Sequence, residues 1–323
     1  MDNRLAALTR WLGSALAGRE FTLAPASADA SFRRYFRATL DGGGTRIAVD
    51  APPEHEDSAA FVRVAGLLRD AELHAPGVHA QDLAQGFLLL EDLGTVSFLD
   101  ALNDTNAAAL MRDATSALIR WQLATRADAL PPYDESLLRR ELALFPEWYL
   151  GRHLGRRLEG EALAGWEASC AALVASARAQ PAVYVHRDYM PRNLMLSEPN
   201  PGVLDFQDAV IGPITYDLAS LMRDAFLSWE EERVLDWAAR YWKDAKLARL
   251  PVDADFAEFW RALEWMGLQR HLKVLGIFAR LTYRDGKPKY LADTPRFLGY
   301  ARTVARRYGA LAPLARLLEG LPG

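Results

Sequence analysis

VYVHRDYMPRNLMLSEPNPGVLDFQ, Val183 to Gln207, is the stretch around which the rest of the chain is read. An apolar, β-prone run, Val183-Tyr184-Val185, ends in His186-Arg187-Asp188, and Asn193 follows five residues after Asp188. A second apolar pair, Val203-Leu204, leads into Asp205. Two short strands, read as a hairpin, are expected to bring two Asp and one Asn to one loop end. Mg²⁺ takes hard oxygen ligands in octahedral geometry, usually one or two from protein and the rest from phosphates and water. Asn193 and Asp205 offer one oxygen each. Asp188, held off the metal, is left to accept a proton from an attacking hydroxyl. Phosphoryl transfer asks for little more, because its catalysis is mostly positioning and charge neutralisation. The plain alternative is a pair of surface turns with unrelated acids. A strand ending in Asp-Phe so close behind His-x-Asp-x4-Asn is an uncommon coincidence on average residue usage.

The chain has 323 residues, enough for two lobes with cores of their own. Half of it is apolar and a quarter charged, ordinary for a soluble protein. A net charge of −4 argues against a nucleic-acid partner held by a basic face. The single cysteine, Cys170, rules out a disulfide framework within one chain. No uncharged stretch approaches the length of a membrane span, and the N-terminal apolar residues are interrupted by Asp2, Arg4 and Arg10. The cytoplasm is the expected compartment, with no membrane, nucleic acid or obligate protein partner.

Residues 3 to 18 place Leu5, Leu8, Trp11, Leu12 and Leu16 on one helical face. Two β-prone runs flank Asp41-Gly-Gly-Gly44 and predict a hairpin. Ser27 to Phe32 lies where a phosphate-covering loop belongs in a small nucleotide-binding sheet. It has no glycine, although Ser31 and its small neighbours still let backbone N–H groups approach phosphate. A helix over 57–72 and strands at Val78–Leu83 and Phe87–Leu90 follow. At Glu91-Asp92-Leu93-Gly94 the pattern turns from strand to helix. Glu91 and Leu93 can offer backbone groups to an adenine edge there. The spacing then predicts helices over 105–126, over 135–154 with a kink at Pro146, and over 161–179. Beyond the quoted stretch, Gly212-Pro213 reads as a turn and Thr215 as the cap of the next helix, with further helices to the end of the chain.

VHRDYMPRN, LDFQD and PITYDLASL resemble the catalytic core of the aminoglycoside phosphotransferases and their choline, homoserine and sugar kinase relatives, which have the protein-kinase-like fold. The likeness runs from the Ser27 loop to about residue 280. It implies an α+β, two-lobe architecture. Residues 1–94 would form a small nucleotide-binding N-lobe with an antiparallel sheet. Residues 95–323 would form a larger, mostly α-helical C-lobe with the catalytic loop and acceptor site. It also implies ATP and Mg²⁺ as cofactors, Asp188 as catalytic base, and Asn193 and Asp205 on the metal. Asp217 would be the buried acid that orients the catalytic loop, with His186 holding the loop rather than moving protons. RIAVDAPPEHED, GVLDFQDAVIGPITYDLASLMRDAF and EWMGLQRHLKVLGIFARL resemble more closely the bacterial anomeric sugar kinases of peptidoglycan recycling, which act on N-acetylmuramate and N-acetylglucosamine.

One departure matters. The family's strand lysine, which contacts the α and β phosphates, is matched here by Ile47-Ala48-Val49-Asp50. Two like unit charges at about 4 Å cost about 4 kcal/mol at an effective dielectric of 20. So Asp50 must face elsewhere or another cation must serve. Arg33 and Arg46 are the candidates, with Arg34 nearby. On the acceptor side, Arg192, Gln207, Arg223 and Arg270 are candidates for an amino sugar, since arginine binds a carboxylate such as a lactyl group bidentately. Most of the nine tryptophans are expected in the core. The competing readings are a kinase of another hydroxyl acceptor (aminoglycoside, choline, homoserine or a ketosamine) and a non-catalytic nucleotide-binding protein.

Overall fold

The computed structural model describes residues 2–27, 32–224 and 226–322. The chain divides into two compact units. Met1–Arg120 with Arg192–Asp208 form the first, and Trp121–Pro191 with Ala209–Gly323 the second.

In the first unit, helix α1 (Asn3–Ala15) is capped by Asp2, whose carboxylate accepts the N–H groups of Arg4 and Leu5 at 3.1 Å. Strands β1 (Phe21–Ser27), β2 (Arg34–Leu40), β3 (Thr45–Asp50), β4 (Val78–Asp82) and β5 (Phe87–Glu91) form an antiparallel sheet in the order β1-β2-β3-β5-β4. The β2–β3 turn puts Gly42, Gly43 and Gly44 at φ of 85°, 97° and 88°, a region that side chains avoid. Leu8 and Leu12 of α1 and Leu16 at its C-terminal cap share a buried cluster with Leu40, Ala48, Phe87 and Leu89, so α1 covers one face of the sheet. Each such leucine contributes roughly 1.5–3 kcal/mol of burial. Helix α2 (Ser58–Asp70) starts at the Asp57 cap, and α3 (Phe98–Ala101) at a capping box of Ser97 and Asp100. Helix α4 (Ala107–Leu123) follows. Gly94, expected at a lobe boundary, lies between the end of β5 and the start of α3.

The two-residue strands β7 (Leu194–Met195) and β8 (Gly202–Val203) pair with each other and complete this unit. Bridges join Met195 to Ser97 and Gly202 to His74.

The second unit is mostly helical. It contains α5 (Glu135–Leu144), α6 (Gly160–Ala179), α7 (Tyr216–Met222), α8 (Glu231–Leu247), α9 (Phe256–Tyr283), α10 (Thr294–Arg307) and α11 (Ala312–Glu319). Its core gathers Phe145, Trp166, Leu173, Leu268, Leu272, Phe278, Phe297 and Leu314. One antiparallel pair, β6 (Ala182–Val185) with β9 (Val210–Pro213), carries the approach to His186. Among the described residues no helix is long and apolar enough to cross a membrane.

Four sequence expectations change. The run 135–154 is not one kinked helix: α5 ends at Leu144 and residues Phe145–His153 continue as a π-helix. Pro146 has no N–H to give to the α ladder, which favours a local change of hydrogen-bond register. Gly212-Pro213 is strand, not turn. A Cβ on Gly212 would come within 2.8 Å of the Tyr133 Cβ, so glycine admits the ring beside the strand. The strand ending at Val185 pairs with β9 and not with Val203-Leu204, which lies beside β7. Thr215 makes no cap bond; its hydroxyl donates to Gln180 Oε1 at 2.7 Å.

Candidate active site

The first unit holds a cavity of about 370 Å³, within the range of ligand pockets. Tyr35 and Arg37 of β2, Ile47 of β3, Leu90 and Glu91 of β5, and the connector Asp92 to Thr95 form part of its wall. Arg192, Asn193, Met195, Leu204 and Asp205 form another part. Strand alternation decides which β3 residues face it. Ile47 lines the cavity, whereas Ala48 packs in the cluster under α1 and Asp50 lies on that same strand face. Asp50 is fully buried there and accepts from Arg4 Nε and Arg34 Nε, each at 3.0 Å. Of the two ways to accommodate an acid at this position, the structure takes the first. Arg46 falls on the Asp50 side of β3 by the same alternation, and its Nη1 donates to the Thr45 carbonyl at 2.7 Å.

Arg33 points differently. Its Nη2 lies 2.6 Å from Glu56 Oε2. Burial would lower its pKa, but Tyr35, Glu56 and the more distant charge of Asp205 raise it. Ser31 lies outside the described residues. Asn193 ends a 3-10 turn, Pro191–Asn193, and its amide nitrogen donates to Asp205 Oδ2 at 3.3 Å. Gln207 Nε2 donates to Asp205 Oδ1 at 2.9 Å. Asp205 has φ of +62°, a left-handed backbone that a non-glycine residue adopts at some cost. The side-chain amide of Asn193 and the Asp205 carboxylate thus lie side by side. They fit Mg²⁺ in kind: two hard oxygen donors, the rest of an octahedron left to phosphates and water. Among the described residues no group of three or more His, Cys, Asp and Glu could hold a metal unaided.

One polar residue of the cavity wall, Arg37, went unnoticed in the sequence. Arg37 binds Asp92 through Nε–Oδ2 at 2.6 Å and Nη2–Oδ1 at 3.0 Å, and reaches the Gly94 carbonyl at 2.9 Å. Period-2 alternation from Tyr35 was the available signal. Glu91 Oε2 accepts the Gly77 N–H at 3.0 Å.

The second unit carries Asp188 on the loop after β6. Asp217, the second residue of α7, is fully buried and accepts the backbone N–H groups of His186 at 2.6 Å and Arg187 at 2.9 Å. Burial pushes its pKa up to about 7, against those two hydrogen bonds, which favour the ionised form. The Asp188 N–H donates to His186 Nδ1 at 3.3 Å. Arg187 has φ of +76°, and its guanidinium is anchored to Glu141 Oε1 at 2.5 Å. Lys273 Nζ lies 3.0 Å from the same oxygen and donates to the Tyr216 hydroxyl at 3.0 Å. Tyr133 also donates to Glu141. Glu141 is buried, which alone would raise its pKa. The charges of Lys273 and Arg187 and the bond from Tyr133 outweigh that and hold it at about 2. Nothing local in the sequence announces this cluster.

A second cavity, about 190 Å³, lies in this unit among Met222, Arg223, Trp260, Glu264, His271 and Tyr300. Arg223 lies over the Tyr300 ring, 5.4 Å from its centroid. Glu264 and Glu231 are both bound by Arg307, at 2.5 Å and 2.6 Å. Burial, and then the charges of Arg270 and Arg223, hold the His271 pKa well below the usual histidine range, so the ring is neutral. Arg270 is buried and does not line this cavity; its charge acts on Asp217 and His271. Arg192, expected on the acceptor side, lines the cavity of the first unit.

The chain is 58% identical over 300 residues to the N-acetylmuramate/N-acetylglucosamine kinase of Pseudomonas aeruginosa, covering 93% of this chain and 88% of that protein. It is 51% identical to the protein of the same name from Pseudomonas putida, with 99% and 97% covered. For that of Neisseria meningitidis the identity is 49%, with 98% and 95% covered. The ADP-bound crystal structure of aminoglycoside phosphotransferase APH(2'')-Ib superposes with a TM-score of 0.60 at 15% identity, over 93% of this chain and 98% of that one. Choline kinase from Cryptosporidium parvum gives 0.61 at 12%, over 94% of both. These two share the protein-kinase-like α+β fold. The family profile described as the phosphotransferase enzyme family (APH) matches residues 22–269. With its fold and most of its length accounted for in this way, the chain belongs to the phosphotransferase enzyme family.

Proposed function

We infer that the protein is an ATP- and Mg²⁺-dependent kinase of N-acetylmuramate and N-acetylglucosamine, forming the sugar 1-phosphate. The observation that carries this reading is the 58% identity, across nearly the whole chain, to a kinase named for those two sugars. Peptidoglycan recycling in the cytoplasm, where ATP is available, is the setting that suits it.

The residues divide the work. Glu91 and Leu93, at the edge of the first unit's cavity, serve the nucleobase through backbone groups. Arg33 answers phosphate charge in place of the missing strand lysine. Asn193 and Asp205 hold Mg²⁺, which when bound neutralises charge on the phosphate oxygens. Asp188 accepts the proton of the C1 hydroxyl as its oxygen attacks the γ-phosphorus and ADP leaves. A hemiacetal hydroxyl is more acidic than an ordinary alcohol, so Asp188 mainly orients it and takes the proton late. Arg223 lines a cavity whose two acids are also bound by Arg307, and its guanidinium is the group offered to the lactyl carboxylate of N-acetylmuramate.

The test is ADP release with a panel of acceptors: both amino sugars, an aminoglycoside, choline, homoserine and a ketosamine. Turnover with the amino sugars, accompanied by loss of their reducing end, is expected. Turnover with choline or the aminoglycoside alone overturns the reading. Asp188→Asn should lower kcat by at least about 10²-fold while nucleotide binding persists. An unchanged kcat removes Asp188 from the mechanism.

A further inference from the structure

We propose that the N-terminal helix is a working part of the phosphate-binding apparatus, acting through an Arg4–Asp50–Arg34 clasp that positions Arg33. The inference rests on the reading of Arg33 given above and adds Arg4, Arg34 and Asp50 as positioning residues for a nucleoside triphosphate.

Each carboxylate oxygen of Asp50 is taken by one guanidinium. Arg4 donates Nε and Nη2 to Oδ1, and Arg34 donates Nε and Nη2 to Oδ2. The chain of charges extends at both ends. Arg34 also binds Asp2, the cap of α1, and Arg4 Nη2 donates to the Gln85 carbonyl at 2.8 Å. The Arg4 guanidinium lies over the Phe87 ring at 4.9 Å, and that ring meets Trp11 of α1 at 5.8 Å. One buried acid therefore ties together α1, β2, β3 and the turn before β5.

The clasp sits at the root of both partners of the Arg33–Glu56 ion pair. Arg34 and Asp50 face each other directly in the β2–β3 register. Arg33 is the residue just before β2, beyond the last ladder pair, so its place depends on how firmly Arg34 is held. Glu56 lies six residues beyond Asp50 on the segment that leaves β3, and it also accepts the Phe32 N–H at 3.3 Å. Arg34 turns to Asp50 and Asp2, while Arg33 meets Glu56. Loosening the clasp frees the stems of both partners at once. The acid that would repel a triphosphate from the cavity side thus serves from the opposite face.

The experiment compares Arg4→Gln, Asp50→Asn, Arg33→Gln and the double variant Arg4→Gln/Arg33→Gln. It measures KM for ATP and for the sugar, and calorimetric affinity for Mg·ADP and for adenosine, which has no phosphate. Arg4→Gln is expected to raise KM for ATP by about tenfold and to weaken Mg·ADP similarly. The sugar KM and adenosine affinity should stay within about twofold. The double variant should be no worse than Arg33→Gln alone, because both changes act through one cation. Arg4→Lys should restore part of the loss. Arg4 is 35% exposed, so its variants test the idea even where Asp50→Asn fails to fold. An ATP KM untouched by Arg4→Gln, or additive losses in the double variant, overturns the proposal while leaving Arg33 in place. A silent Arg33→Gln overturns both.

Discussion

The carboxylate of Asp217 holds the backbone of Arg187 through a 2.9 Å hydrogen bond from the Arg187 N–H. It binds the preceding N–H, that of His186, with its other oxygen at 2.6 Å. Two consecutive amides fixed by one buried acid set the direction in which Asp188 leaves β6, at a residue whose φ of +76° needs outside support. In Asp217→Asn one of those amides meets an NH₂ group. Lost positioning should lower kcat by about 10²-fold with smaller changes in KM, and stability should fall by about 1–3 kcal/mol. Steady-state kinetics beside denaturant unfolding would show it; an unaltered kcat would separate Asp217 from the catalytic loop.

Glu141 gives a pH dependence with a definite sign. Its pKa, about 2 in the folded protein against an ordinary 4.5, is depressed, so its contribution is fully present above about pH 4.5. It is lost as the pH falls toward 2, amounting to about 3 kcal/mol. Glu141→Gln should unfold more easily at neutral pH, because buried Lys273 and half-buried Arg187 lose their counter-charge. Its stability should also fall less steeply with acid between pH 4.5 and 2. Parallel acid-titration slopes for variant and parent would refute the assignment.

Metal dependence should separate Asp205 from Asp188. Removing divalent ions with EDTA is expected to abolish turnover and excess Mg²⁺ to restore it. Asp205→Asn should raise the Mg²⁺ concentration needed for half-maximal rate by at least about tenfold, since even outer-shell changes at metal sites cost that much. A full rate in EDTA would remove the metal from the reaction.

Two glycines in helices should respond oppositely to alanine. A Cβ on Gly276 of α9 would lie 2.4 Å from the Leu144 carbonyl carbon, where α5 passes into the π-helix. Backbone must move, so Gly276→Ala should cost about 2–4 kcal/mol. Gly299 of α10 has nothing within 4 Å of an added Cβ, and Gly299→Ala should stabilise by about 0.5–1 kcal/mol. Thermal melts of the two variants decide this directly.

What could be read in advance followed from distance along the chain. Asp188, Asn193 and Asp205 lie within eighteen residues of one another, so their chemistry is written locally. The β2–β3 hairpin announces itself by three successive glycines, and α2 by its Asp57 cap. The partner of β6 was misread because β9 begins twenty-five residues after β6 ends, beyond a closer apolar pair that competes for it. The Glu141 cluster was invisible for the same reason: Tyr133, Glu141, Arg187 and Lys273 stand on separate elements, and each reads alone as an ordinary surface charge or core ring. The direction of Asp50 was left open because an isolated strand does not say which face will be covered. The Leu8–Leu12 stripe of α1 settles it only once that helix is docked.

The first unit is discontinuous, and this has a consequence for synthesis. Residues 192–208 belong with the sheet although 71 residues of the second unit, Trp121–Pro191, are made between them and Arg120. A nascent chain therefore cannot finish its N-terminal unit and then begin the next, as domains generally do during translation. The β7–β8 insert, which bridges to His74 and Ser97, arrives after much of the second unit has left the ribosome. Asn193 and Asp205 arrive with it. A chain interrupted between Thr95 and Arg192 has most of the cavity wall but neither residue assigned to the metal.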